Sequence, residues 1–169
     1  MPCNDDTAHQ FTLIYTFFSP VTKYKYVLSA DYHEEDVFAI KFYCKKDKHS
    51  KYKYSKIVNK GDLGNILLTC LSVIPLLLIQ YPTASFTFIG SPTLDPKSKK
   101  LEPPVNNQRF RIYASIVAKR IGAFTFSHKE YPHISGYLLL NNKSEDHEKK
   151  EATIKAMFQN TYDNVLDLP

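Results

Sequence analysis

Ser85-Phe86-Thr87-Phe88-Ile89-Gly90-Ser91, followed after a polar linker by Asn107-Gln108-Arg109-Phe110-Arg111-Ile112-Tyr113, decides the fold class. The first piece is short, aromatic and alternating, and it ends in a Gly-Ser turn, so it predicts a buried strand. The second opens a helix with two arginines in its first turns. A strand feeding a helix through a long linker, in a chain with several other aromatic strands, predicts an α+β domain.

Working outward, Phe11–Phe18, Tyr24–Ala30 and Val37–Cys44 read as three strands of an antiparallel meander. A shorter fourth strand is expected at Lys51–Val58. Asp62 is a good N-cap for a helix carrying Leu63, Ile66, Leu67, Cys70, Ile74, Leu77 and Leu78 at helical spacing, with a kink at Pro75. The run Leu63–Gln80 has no charge, but Asn65, Thr69, Ser72 and Pro75 interrupt it, so a buried core helix is expected rather than a membrane span. Residues 91–106 hold four prolines and a lysine cluster and read as a long loop. A helix over about 107–121 follows, with Phe110, Ala114, Val117 and Ile121 on its packing face and Gly122 as its cap. Strands at 123–127 and 135–140 flank a Tyr131-Pro132-His133 turn. Ser144 is expected to cap a final helix with Ile154, Met157, Phe158, Thr161, Val165 and Leu166 as its apolar stripe. The expected order is β-β-β-β-α-β-α-β-β-α in one mostly antiparallel layered domain over residues 11–169, behind a loose tail at 1–10.

The 169 residues are enough to bury a core, and 43% hydrophobic with 14% aromatic content excludes a disordered chain. Net charge is +5, with the excess of lysine and arginine confined to the first 140 residues. A basic protein of this kind suits an anionic ligand, an acidic protein or a nucleic acid, and ordinary solubility explains the charge equally well. Cys3, Cys44 and Cys70 show neither zinc-ligand spacing nor a paired framework. They predict free thiols and a cytoplasmic setting, with no metal and no cofactor.

Asn59-Lys60-Gly61-Asp62, Ile66-Leu67-Leu68-Thr69, Tyr81-Pro82, Phe88-Ile89-Gly90-Ser91 and Arg109-Phe110-Arg111-Ile112-Tyr113 occur in that order. The series resembles a family of small bacterial proteins, common in Bacteroidetes, described only as a domain of unknown function. Its members carry Asn-Asn-Gly-Asp, a Leu-Ala-Thr helix core, Tyr-Pro, and a Gly-Ser-Thr turn running almost directly into Arg-x-Arg-Leu-Tyr. The likeness covers roughly residues 24–140. It departs at Lys60 and at the insertion Pro92–Asn106. It implies no activity, only a two-gene, toxin–antitoxin-like or defence setting.

Gly90, Ser91, Arg109, Arg111 and Tyr113 form the candidate site. A turn and a helix start both present unpaired N–H groups, and guanidinium groups beside them favour a bound anion such as a phosphate or carboxylate. Arg109 and Tyr113 share a helix face, whereas Arg111 lies about 200° around from Arg109. The arginines therefore either converge at the helix start or tie the long loop to the sheet. Lys23-Tyr24-Lys25-Tyr26 and Lys51-Tyr52-Lys53-Tyr54 would, on strands, separate lysines from tyrosines and offer a basic face to a phosphate backbone. A solvated sheet face reads the same way. His128 and His133, with Glu130 between them, could serve acid–base chemistry or simply decorate a loop. His33-Glu34-Glu35-Asp36 reads as a charged turn. Two functions follow: an interaction module with an anion site and a protein partner, or a metal-independent RNA-acting enzyme or toxin using arginine, tyrosine and histidine. Nucleic acid stays open as a partner; a membrane is not expected.

Overall fold

The computed structural model describes residues 9–56, 63–95 and 97–166. The fold is α+β. Six strands run β1 His9–Phe18, β2 Lys25–His33, β3 Val37–Cys44, β4 Ser85–Ile89, β5 Phe126–Tyr131 and β6 Gly136–Asn141. The helices are α1 Leu63–Leu71, α2 Val73–Gln80, α3 Gln108–Arg120 and α4 His147–Leu166. In the sheet the order is β1-β2-β3-β4-β6-β5. All pairings are antiparallel except β3 with β4, which the α1–α2 crossover joins in parallel.

Period-two alternation assigns the two faces. Tyr26, Leu28 and Ala30 of β2, Phe38, Ile40 and Phe42 of β3, and Phe86 and Phe88 of β4 point to one side. They pack there with Ile66, Leu67, Cys70, Ile74 and Leu77 of α1–α2 and with Phe110, Tyr113 and Val117 of α3. Val37, Leu138 and Leu140 point to the other side and meet Ile154 and Met157 of α4. Rings run through the first layer: Phe38 stacks on Phe86 at 5.6 Å, and Tyr32, Tyr81 and Phe11 cluster around Phe38.

The apolar run Leu63–Gln80 has the length and composition of a membrane span, and it folds as two helices, of which Ile66, Leu67, Cys70, Leu71, Val73, Ile74 and Leu77 are buried. It breaks at Ser72, whose hydroxyl turns back to the Thr69 carbonyl at 2.5 Å. The break lies three residues ahead of Pro75, which has no N–H to give and whose ring would crowd the carbonyl four residues earlier.

Several expectations are corrected. The fourth strand does not form: residues 51–55 are successive turns, while Ile57 and Val58 lie outside the described residues. Lysine and tyrosine there do not separate onto two faces. Lys53 lies over the rings of Tyr43 and Tyr54 at 4.6 and 5.0 Å, and Lys51 over Tyr52 at 4.8 Å, so the cations sit on rings. In the first alternation Tyr26 is core and Lys25 lies over Phe18, but Lys23 precedes β2 in a left-handed turn with φ 62°. The tail is shorter than expected at its end, since His9 and Gln10 already belong to β1. Residues 123–125 are a turn rather than the start of β5. Asp146, not Ser144, caps α4, its carboxylate accepting from the Lys149 N–H at 3.1 Å. Ile121 in extended geometry ends α3, and Gly122 is not in the left-handed region. Cys70 is a free, buried thiol; Cys44 is buried with its sulfur 3.7 Å from the Lys25 carbonyl. Cys3 and the Asp62 cap lie outside the described residues.

Candidate functional site

The Gly90-Ser91 turn does meet the start of α3, and Asn107 is the residue that joins them. Asn107 is extended (φ −72°, ψ 170°) and its side-chain oxygen accepts from the Phe110 N–H at 3.0 Å. Its amide nitrogen donates to the Gly90 carbonyl, and its backbone N–H donates to the Ser135 hydroxyl at 2.9 Å. Ser135, left-handed at φ 52°, donates a hydrogen bond from its own hydroxyl to the Pro104 carbonyl at 2.6 Å and accepts the Gly90 N–H on its carbonyl at 2.8 Å. One buried asparagine and one buried serine thus bind together the end of β4, the 92–106 loop, the turn before β6 and the start of α3. The approach is close enough that a Cβ on Gly90 would stand 2.5 Å from Asn107 Oδ1 and 2.7 Å from the Phe110 nitrogen. Glycine is required there by space.

An anion already sits at the helix start, and it belongs to the chain. Glu102 accepts from the Gln108 N–H with both carboxylate oxygens, at 3.2 and 3.4 Å, and from the Thr93 N–H at 2.8 Å. The carboxylate meets free N–H groups at the positive end of α3, the position where a negative charge is stabilised. Glu102 is supplied by the inserted loop, which is a small hairpin: Leu94 bridges Leu101, and Asp95 accepts from the Lys97 N–H and the Ser98 hydroxyl, both at 2.9 Å. Those bonds hold the Asp95 carboxyl below its ordinary range.

The two arginines diverge. Arg111 is exposed, and its guanidinium donates to the Asn106 carbonyl at 2.6 Å. Arg109 is 3% exposed. Its Nη2 donates to the Lys56 carbonyl at 3.0 Å, its plane lies over the Phe42 ring at 5.2 Å, and its Nε has no hydrogen-bond partner. Burial pushes its pKa down, against the pull of Tyr113, Glu102, Tyr26 and Cys70. Tyr113 lies on the same side of α3, its ring 5.7 Å from Phe88, with its phenol pushed up by burial. Burial likewise raises the Cys70 thiol. Phe42, Cys70 and Tyr113 help to line an apolar void of about 10 Å³, room for no more than one water. Ser91 is half-buried beside Pro92.

The histidines have other neighbours. His128 Nδ1 is 2.6 Å from the Tyr137 hydroxyl and Nε2 is 3.4 Å from the Gly122 carbonyl. His133 is exposed on the short 3-10 turn Pro132–Ile134, with its ring beside Tyr131. Asp36 of the acidic turn accepts from the Tyr32 hydroxyl at 2.9 Å and the Thr83 hydroxyl at 2.6 Å, tying the β2–β3 turn to the approach of β4.

A second feature escaped the sequence reading. Asn141 and Asn142, adjacent at the end of β6, hold two loops at one pole. Asn141 donates to the carbonyls of Pro82 and Ala84 at 3.1 and 3.0 Å, fixing the exit from α2. Asn142 donates from its side chain to the carbonyls of Ala123 and Phe124, both at 2.9 Å, and from its backbone to Thr125. Phe124, in the segment that Asn142 holds, is 97% exposed, and Ile79 and Leu76 of α2, which precedes the segment that Asn141 holds, are 79% and 56% exposed. Alternation assigns Phe124 to a strand, and the structure makes residues 123–125 a turn; an asparagine pair after a strand is the available sign of loop fastening. Comparison with family models, with curated proteins and with solved structures finds no match.

Proposed function

We propose that this domain is an interaction module whose contact surface for a protein partner is the pole carrying Phe124, Ile79 and Leu76. The observation that carries the reading is a phenylalanine 97% exposed on a loop that Asn142 fastens by three hydrogen bonds. A held aromatic in water has little ordering entropy left to lose on binding, and burying it is worth ~1.5–3 kcal/mol. Aromatic anchors of this kind dominate interface energies. The free Cys70 thiol agrees with a reducing, cytoplasmic setting. A two-gene, toxin–antitoxin-like context is the form of partnership that the family resemblance suggests. An external anion belongs to this reading only as a competitor for the place of Glu102 at the start of α3.

Co-expression with the product of the neighbouring gene tests the proposal. The two proteins should co-purify, and Phe124→Ser with Ile79→Lys should abolish co-purification while the melting temperature stays within about 2 °C, as for other exposed substitutions. Co-purification unaffected by both substitutions rejects this pole as the contact surface.

A further inference from the structure

We infer that residues 41–56, which run from the end of β3 through the turns beyond it, form a binding surface for single-stranded nucleic acid, with lysines on the phosphates and tyrosine rings against the bases. The segment holds seven lysines and one aspartate, a balance of +6 in a chain whose net charge is +5, so the rest of the molecule is close to neutral. Lys41 and Lys56 have acidic partners, Asp31 at 2.7 Å and Asp47 at 3.4 Å. Lys45, Lys46, Lys48, Lys51 and Lys53 form no ion pair among the described residues, and all but Lys53 are exposed. Positive charge concentrated in this way draws a polyanion and exchanges the small ions around it for phosphates.

Charge alone would suit any polyanion; the rings select the occupant. On a strand, alternating lysine and tyrosine would turn the rings away from the cations. In the folded chain the two share a surface. Lys46 Nζ lies 4.3 Å from the centre of the Tyr24 ring, Lys51 Nζ 4.8 Å from Tyr52, and Lys53 Nζ 4.6 Å from Tyr43 and 5.0 Å from Tyr54. Lys46 and Lys51 are exposed, and an exposed lysine covers only a ring face that opens to solvent, so Tyr24 and Tyr52 each turn a face outward. A cation at such a face is held weakly; a stacked base is held more firmly, and the displaced ammonium gains a phosphate. The platform is also fixed. The N–H groups of Lys48, Ser50, Lys53 and Ser55 donate to the carbonyls three residues before them, and the Leu94 N–H and the Arg109 guanidinium fasten the carbonyls of Ser55 and Lys56. A surface held in this way has little freedom left to lose on binding. Residues 41–56 contain no leucine, isoleucine, valine, methionine or tryptophan, and Phe42 is buried, so nothing in them would enter the apolar layer of a membrane. The surface lies at the far end of β3 from the Phe124 pole, because Val37 at the other end pairs with Ser85, whose hydroxyl accepts from the Asn141 N–H. It therefore stands independently of the protein contact proposed there.

Fluorescence anisotropy of a labelled single-stranded oligouridylate of about 12 residues, titrated with the whole chain, tests this. Each neutralised phosphate contributes about −0.7 to the slope of log K against log salt, so the lysines without acidic partners predict a slope of about −3.5 and a loss of roughly a hundredfold between about 50 and about 200 mM salt. Lys46→Gln, Lys48→Gln and Lys51→Gln together should weaken binding at least about tenfold and flatten the slope to about −1.5. All three side chains are exposed, so melting should stay within about 2 °C. Removing the same charge near the other pole, with Lys119→Gln, Arg120→Gln and Lys143→Gln, should change affinity by less than about twofold, since salt screens charges at that distance. Tyr52→Leu should weaken binding about fivefold or more with the slope unchanged, and Tyr52→Phe, which keeps the ring, should bind as the unsubstituted chain does. An RNA duplex of the same length hides its base faces and should bind more weakly, although charge alone would favour it. No binding at about 100 µM protein in about 50 mM salt, equal loss in the two triple variants, Tyr52→Leu binding as tightly as Tyr52→Phe, or a duplex bound more tightly than the single strand overturns the inference. So does binding to vesicles containing about a quarter phosphatidylserine without binding to the strand, which would assign the surface to a membrane.

Discussion

Arg109→Ala is expected to destabilise the protein by about 3 kcal/mol, although an arginine near a helix start would ordinarily pass for a surface group. The side chain is 3% exposed. Its bond to the Lys56 carbonyl is charge-assisted and contributes ~1.5–3 kcal/mol. The desolvated contact with Phe42 adds ~1–2 kcal/mol. Truncation also opens a void, and large-to-small changes in a core cost ~2–5 kcal/mol. Against these stands the cost of keeping a charge away from water with no carboxylate pairing it among the described residues, an effect of several kcal/mol. Arg109→Met separates the parts, since it keeps most of the stem and relieves the buried charge; a loss under about 1.5 kcal/mol is expected. At ~2–4 °C per kcal/mol for a chain of this size, Arg109→Ala should melt about 6–12 °C lower. Arg111→Ala, whose guanidinium is in solvent, should stay within about 0.5 kcal/mol. Calorimetry and urea titration measure all three. An Arg109→Ala protein melting within about 2 °C of the unsubstituted chain would refute the argument, and would free Arg109 for a role in binding.

Gly90→Ala should destabilise by about 2–3 kcal/mol in urea titration, because the new methyl overlaps the Asn107 side chain and the α3 backbone, neither of which can retreat; a change under about 0.5 kcal/mol would show that the junction yields. Alkali should unfold the protein between about pH 10 and pH 12. Burial, with an Asp36 bond, pushes Tyr32 to about 12, and burial beside Glu130 pushes Tyr137 to about 12, both from 10.0; Tyr113 and Tyr131 are raised as well. The unfolded chain therefore loses tyrosine protons first, and stability falls as pH rises through that window. Tyrosinate absorbance should rise together with the loss of near-ultraviolet dichroism; a simple titration near pH 10 with the fold intact would contradict this.

Local pattern made much of this fold legible. Phe38, Ile40 and Phe42 alternate as a strand must, and Ile66, Leu67, Cys70, Ile74 and Leu77 recur as a buried helix face must. The misreadings differ in cause. Lys51–Tyr54 alternates lysine and tyrosine, which satisfies a strand rule, but nothing in the period records that cations can rest on rings instead. At the candidate site the meeting of the Gly90 turn with the start of α3 was readable from turn and helix signals; whether Arg109 and Arg111 converge or diverge was not, and the bonds to Lys56 and Asn106 decide it. That Arg109 would be the one turned into the core follows from its sharing a side with Tyr113 and Val117. Glu102 as the resident anion was not readable, since only the folding back of the hairpin between Leu94 and Leu101 brings it to Gln108. Phe124 was missed because exposure is a property of the whole surface, and its own neighbours read as strand.

The single parallel seam between β3 and β4 sets the order in which this chain can assemble. The β1-β2-β3 meander and the β5-β6 hairpin are made by neighbours in sequence and close quickly. The seam has only four residue pairs, Val37 with Ser85 through Ile40 with Phe88, and closing it loops out a segment of ~50 residues. During synthesis the meander leaves the ribosome ahead of the helices that cover it, so Tyr26, Leu28, Phe38, Ile40 and Phe42 face water until α1 and α2, and then α3, have been made. The nascent chain is therefore most exposed to aggregation and to chaperones between the completion of its third strand and the arrival of α3.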